Sequence, residues 1–179
     1  MVRIRKGTRA DISKAADIYD EVLKTEECGL ASIGWIRGVY PTESTAYDAV
    51  LRGDLFVAEF DGKIAASAII NKIQVPEYAS AQWKYRDISD EKVMVLHTLT
   101  VAPDYSGKGV GSAFVSFYEK YAEQSGCTHL RMDTNEKNTR ARGMYARLGY
   151  REAGIVQCTF NGIPNVGLVC LEKKLSGDN

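Results

Sequence analysis

The stretch 100-TVAPDYSGKGVGSAFV-115 decides how this chain is read. It leaves a β-branched run, passes a proline, crosses the alternating glycines Gly107, Gly109 and Gly111, and re-enters an apolar segment. A strand followed by a glycine loop and a helix leaves unpaired backbone N–H groups at the helix N-terminus, where they carry partial positive charge and can receive an anion. A pyrophosphate is the natural guest. The loop alone also fits a plain turn, so the flanking residues must decide.

Around this loop the sequence alternates elements. "VMVLHTLTV" (93–101) reads as a strand bounded by Pro103. The helix after the loop places Val110, Ala113, Phe114, Phe117, Tyr118, Tyr121 and Ala122 on one face and ends at Gly126. "THLRMDT" (128–134) is a strand, and "NTRARGMYARLG" (138–149) a helix with Asn138 near its start and Gly149 as its C-cap. Two strands, 150–160 and 164–175, flank an Asn161-Gly162 turn.

The first half is read in the same way. A short strand (2–7) precedes a helix in which Thr8 and Asp11 have capping-box spacing and Ile12, Ala15, Ala16, Tyr19, Val22 and Leu23 recur at helical intervals. Residues 28–42 read as a Gly- and aromatic-rich loop, and 43–54 as a short helix stopped by Gly53. Strands at 55–60 and 63–73 are joined by Asp61-Gly62. Residues 74–91 show no clear element and read as a mobile loop or an insertion. The whole is one α/β domain, residues 1–179, with a mixed sheet.

Composition narrows the function. Lys plus Arg and Asp plus Glu both total 23, so the formal charge is zero and no global field favours a nucleic acid. The N-terminus is charged where a signal peptide needs an apolar core, and no apolar run approaches the ~18 residues of a membrane helix. The chain therefore reads as a soluble cytoplasmic protein without a membrane partner. Four cysteines without C-x-x-C spacing and two histidines leave little for a metal site, and none is expected. Cys127 and His129 read as structural.

Two nucleotide signatures are tested by the loop and fit poorly. A Walker loop needs Ser or Thr after the lysine, and Lys108 is followed by Gly109. A dinucleotide fingerprint is met at Gly107 and Gly109 but has Ser112 at its third glycine, with Asp133 imitating the ribose-binding acid.

More residues fit a third pattern. Ser106-x-x-Gly109-x-Gly111, followed by Asn138-x-x-Ala141-x-x-x-Tyr145-x-x-x-Gly149-Tyr150, resembles the GNAT (GCN5-related N-acetyltransferase) superfamily. The second motif is complete. The first departs at its opening position, where Ser106 stands in place of Arg or Gln. The motifs cover residues 93 to 150, and the element order agrees over nearly the whole chain.

This resemblance implies a mixed sheet of about seven strands with about four helices, whose central parallel strands splay apart around acetyl-CoA. Backbone groups of Leu99, Thr100 and Val101 would pair with the pantetheine arm. The N–H groups of Gly107, Lys108, Gly109, Val110, Gly111 and Ser112 would hold the pyrophosphate, with Lys108 supplying charge that Ser106 lacks. Asn138 would bond the cofactor, and Tyr145 would protonate the leaving thiolate. His97 is the candidate base or relay, its ordinary pKa of about 6.5 suiting proton transfer. Strand alternation puts His97 on one face with Val95, Leu99 and Val101. The expected reaction is acetyl transfer to a primary amine, a small metabolite being favoured over a protein or peptide. The alternatives are a non-catalytic acyl-CoA-binding module and an NAD-dependent enzyme. Trp35, Tyr40, Tyr78, Trp83 and Tyr85, with Glu26, Glu27 and Glu43, are candidates for the acceptor wall. Homodimers are common in the superfamily, and a homodimer stays open.

Overall fold

The computed structural model describes residues 1–176. Seven strands form one sheet: β1 (Val2–Lys6), β2 (Leu55–Phe60), β3 (Lys63–Asn71), β4 (Val93–Val101), β5 (His129–Asn135), β6 (Arg151–Phe160) and β7 (Ile163–Lys174). Their order across the sheet is β1-β2-β3-β4-β5-β7-β6. Every neighbouring pair is antiparallel except β4 and β5, which run parallel. Four helices cover it: α1 (Ile12–Glu27), α2 (Glu43–Arg52), α3 (Val110–Gln124) and α4 (Thr139–Arg147).

Local signals in the sequence place most of these boundaries. Asp11 Oδ2 accepts hydrogen bonds from both the Thr8 N–H and the Thr8 hydroxyl, each 2.8 Å, as the capping-box spacing requires. Gly53 closes α2 with φ 75°. The turns Asp61-Gly62 and Asn161-Gly162 have both residues at positive φ, the backbone a tight hairpin needs. In α1 the buried set includes Ile18, which the periodic reading passed over, while Ala16 is only partly buried.

The sheet separates two apolar layers. On one side Met94, Leu96, Leu130 and Met132 pack with Val110, Phe114, Tyr118 and Tyr145 of α3 and α4. On the other, Leu55, Val57 and Ile69 meet Ala49 of α2, and Ile18 and Val22 of α1 meet Ala102. Tyr118 is fully buried, which contributes on the order of 2 kcal/mol. Its hydroxyl lies 2.7 Å from Met94 O and 3.1 Å from Arg131 O, bridging β4 and β5.

Residues 74–91 are packed rather than free-standing. They contain 3-10 turns at Pro76–Ser80 and Asp90–Lys92. Tyr78 and Trp83 are buried, and the Arg131 guanidinium lies 4.1 Å over the Trp83 ring while donating to Tyr85 O. Aromatic burial holds this segment even though its sequence has no period.

Candidate active site

β4 and β5 are paired from Val93↔His129 to Leu96↔Met132 and then part. Each keeps its outer partner: β3 stays with β4 as far as Val101, and β7 with β5 as far as Asn135. The inner edges of both strands are therefore left without a strand partner beyond Leu96 and Met132. A continuous cleft of about 1280 Å³ runs through the gap, from the glycine loop to the α1–α2 loop and the β6–β7 turn.

Thr98 lies at the parting point with φ 51°. Between the pairs Ile69↔His97 and Ser67↔Thr100, β4 holds one residue more than β3. This bulge reverses the alternation of side chains. His97 pairs with Ile69 on the α2 side, whereas Leu99 and Val101 pack against the α3–α4 core. The expected shared face of His97, Leu99 and Val101 is thus corrected; regular alternation does not survive an inserted residue.

The glycine loop enters α3 with Gly107 at φ 77° and Gly109 at φ 79°, and nothing lies within 4 Å of a Cβ built on either. Ser106 N–H donates to Pro103 O and Lys108 N–H to Tyr105 O, and the first α-helical bond from the loop is Ala113 N–H to Gly109 O. The N–H groups of Gly107, Gly109, Val110, Gly111 and Ser112 have no backbone acceptor among the described residues. A row of free donors at a helix N-terminus, kept open by glycine, fits a pyrophosphate. Gly111 lets α3 approach closely, since a Cβ there would lie 3.3 Å from Met144 Sδ. Ser106 lines the cleft beside this row. Lys108 Nζ sits 5.3 Å from the Tyr105 ring centre. Leu99, Thr100 and Val101 line the cleft along the unpaired edge of β4. Asn138 is the N-cap of α4, its Oδ1 accepting from Ala141 N–H at 3.1 Å, which leaves Nδ2 as a donor on the cleft wall.

Ionisable groups meet where the strands part. Tyr145 is buried on α4, packed edge-on to Tyr150 at 6.0 Å, and its hydroxyl has no hydrogen-bond partner among the described residues. Burial, with the nearby Asp133 carboxylate second, raises its pKa. Asp133 directly follows the last paired residue of β5 and lines the cleft. Burial pushes its carboxyl up to about 6, against a 2.7 Å hydrogen bond from the Tyr78 hydroxyl that lowers it.

Burial pushes the His97 imidazole down to about 4. Its Nε2 is 3.0 Å from Asn71 Oδ1. Asn71 is itself oriented: Nδ2 donates to Asp54 Oδ2 at 2.8 Å and Oδ1 accepts from Ile73 N–H at 2.9 Å. With Oδ1 fixed as the acceptor, His97 must carry its proton on Nε2, leaving the Nδ1 lone pair free.

Of the aromatic residues that the sequence suggests for an acceptor wall, two line the cleft. Trp35 and Tyr40 line the cleft and pack edge-on at 6.0 Å, and the Tyr40 hydroxyl is hydrogen-bonded to Thr98 Oγ1. Tyr85 lies elsewhere, against His129 at 4.8 Å. Glu26 accepts from the N–H groups of Ile33 and Gly34, and Glu27 pairs with Arg37 at 2.7 Å, so both carboxylates are engaged in holding the loop. Asp133 and Asn71 had been given no part in the chemistry by the sequence reading. The available signal was an ionisable residue at the C-terminal end of a central strand.

The Acetyltransferase (GNAT) family matches this chain over residues 18–150. The chain belongs to that family. Among GNAT relatives, the uncharacterized N-acetyltransferase YhfO of Bacillus subtilis is 32% identical over 78 residues, which are 43% of this chain and 52% of that protein. The match thus spans about half the length of that relative. A GNAT family acetyltransferase from Streptococcus agalactiae superposes with a TM-score of 0.79 at 21% identity, over 98% of this chain and 96% of that one. The yncA protein of Salmonella typhimurium, solved with its cofactor acetyl-CoA, superposes with a TM-score of 0.68 at 19% identity, over 100% of this chain and 96% of that one. These two likenesses establish the GNAT fold. Among the described residues no group of three or more His, Cys, Asp or Glu could hold a metal ion. No described helix is long and apolar enough to cross a membrane.

Proposed function

We propose that this GNAT chain transfers an acetyl group from acetyl-CoA to a primary amine by direct attack in a ternary complex, without a covalent enzyme intermediate. The observation that carries the reading is the meeting, at one parting of β4 and β5, of an open donor row, a cleft-facing tyrosine and a half-buried carboxylate. Acetyl-CoA would supply an activated thioester. The unpaired edge of Leu99, Thr100 and Val101 receives the pantetheine amides as a strand would. The free N–H groups of Gly107, Gly109, Val110, Gly111 and Ser112 take the pyrophosphate, while Lys108, whose N–H is held by Tyr105 O, adds side-chain charge and Asn138 a side-chain donor.

Asp133 is the proton acceptor in this mechanism. With its carboxyl near 6 it is ionised around neutrality, so it draws an ammonium group into the cleft. It takes one proton from that ammonium, and the lone pair of the neutral amine then forms the C–N bond; the second nitrogen proton, released as the C–S bond breaks, leaves through His97. His97, held neutral with a free Nδ1, serves as a relay rather than the terminal base, because a group near 4 binds a proton weakly at neutral pH. The N–H of Leu99 steadies the charge developing on the carbonyl oxygen. The Tyr145 hydroxyl, kept protonated by burial, delivers a proton to the departing sulfur.

Thiol release from acetyl-CoA against a panel of amines tests the reading, alongside titration of the protein with CoA and with NAD. CoA binding with amine-dependent release is the expected result. Tight NAD binding without any response to CoA would overturn it.

A further inference from the structure

Resting on the transfer proposed above, we infer that the acceptor is a small primary amine with an uncharged aromatic body, and that the α1–α2 loop forms the lid that excludes peptides and polyamines. The loop, residues 28–42, is clamped at both ends of its span. Near α1, Glu26 accepts from Ile33 and Gly34 N–H, and Arg37 is held by Glu27 and Asp20.

Across the cleft the loop reaches β5. A Cβ on Gly34 would lie 2.2 Å from Asn135 Nδ2, so the loop packs directly on the Asn135 side chain, and its φ of 82° suits glycine. It also reaches the β6–β7 turn, where a Cβ on Gly162 would lie 3.3 Å from Val39 Cγ1. Tyr40 ties it to Thr98 of β4. The loop therefore touches β4, β5 and the β6–β7 turn, bridging the acceptor end of the cleft. A peptide or protein N-terminus needs an open groove through which its chain can leave, and this bridge lies across it.

The enclosed wall is aromatic. Trp35 and Tyr40 stand edge to face on the loop, and Phe160 faces the same cleft from the β6–β7 turn. Asp133 is the carboxylate at the deep end, suited to one ammonium group. At the exposed rim Arg52 is paired with Asp54 at 2.9 Å and Asp48 stands in solvent, so among its described lining the cleft offers a polyamine no second sheltered carboxylate. One half-buried anion and an aromatic wall select a monoamine that carries a ring.

Isothermal titration of the CoA-loaded full chain with phenethylamine, spermidine and a short peptide with a free N-terminus tests this, in parallel with thiol release from acetyl-CoA. Phenethylamine should bind about tenfold or more tighter than either competitor. Trp35→Ala should weaken it by about tenfold, Phe160→Ala by a few fold, and Trp35→Phe should retain most of the affinity, with CoA binding unchanged in all three. Peptide or spermidine binding as tight as phenethylamine, or an unchanged affinity in Trp35→Ala, would overturn the inference. Release with peptide or spermidine alone would do the same while leaving acetyl transfer intact. Tight, Trp35-dependent binding of phenethylamine without release from any amine would support the acceptor site and sink the transferase reading instead.

Discussion

His97 and Leu99, two positions apart in one strand, face opposite sides of the sheet. The residue between them, Thr98 at φ 51°, is the cause. The inserted residue turns the chain at the point where β4 leaves β5, so one strand presents an imidazole to the α2 side of the cleft and a backbone edge toward the cofactor side. The proposed chemistry is built around that turn.

Tyr145→Phe should lower turnover by about 100-fold or more while CoA affinity stays the same. The hydroxyl bonds to no other group among the described residues, so thermal stability should not fall. Steady-state thiol release, CoA titration and a melting curve check the three parts. Equal loss of turnover and CoA affinity would make the tyrosine a binding residue.

Asp133 links activity to pH. Its carboxyl sits near 6 against 3.8 for the free side chain, so kcat/KM should rise as pH increases through about 6 and level off above. Tyr78→Phe removes the hydrogen bond that favours the ionised form, and should move this limb to higher pH. Asp133→Asn should abolish the limb and most of the activity.

The same shift predicts an effect on stability. A carboxyl with a raised folded pKa contributes fully below the unfolded value and loses that contribution as pH climbs from about 3.8 through about 6. At neutral pH the ionised Asp133 therefore costs up to about 3 kcal/mol. Asp133→Asn should melt higher than the parent at pH 7 and show little advantage at pH 4. A lower melting temperature at neutral pH would contradict the burial argument.

His97 should stay neutral across the physiological range. Its folded value near 4 lies below the free 6.5, so the stability it contributes is present above about 6.5 and is lost as pH falls toward 4. Nitrogen NMR should show the proton on Nε2 with no titration between about pH 5 and 8. In Asn71→Leu, loss of the Nε2 partner should release the tautomer preference and lower turnover with little change in CoA affinity.

The glycine loop gives a separable prediction. Gly109→Ala forces a φ of 79° on a side-chain residue, costing about 1 kcal/mol of stability and weakening CoA binding. Lys108→Ala should leave stability unchanged, weaken CoA binding and flatten its salt dependence.

How far the sequence reached depends on the range of the interactions involved. Helix faces, hairpin turns and the cradle glycines rest on contacts a few residues apart, so periodicity, Asp61-Gly62, Asn161-Gly162 and the Asn138 cap were legible without coordinates. The GNAT motifs were legible for the same reason: each is a run along one loop or one helix. The bulge at Thr98 was not, because it exists only in the register between β3 and β4. Nor was the Asp133–Tyr78 pair, whose members are 55 residues apart and meet only when residues 74–91 pack under β5. Glu26 reads as part of the acceptor wall in sequence, whereas the fold aims it at the N–H groups of Ile33 and Gly34. By itself the sequence determined the family, the elements and the glycine loop that opens the start of α3, since local backbone chemistry writes these directly into residue type. Tertiary structure alone decided which carboxylate lies where the strands part, what His97 is bonded to and which segments the α1–α2 loop bridges, because burial and register arise only when distant segments exclude water together.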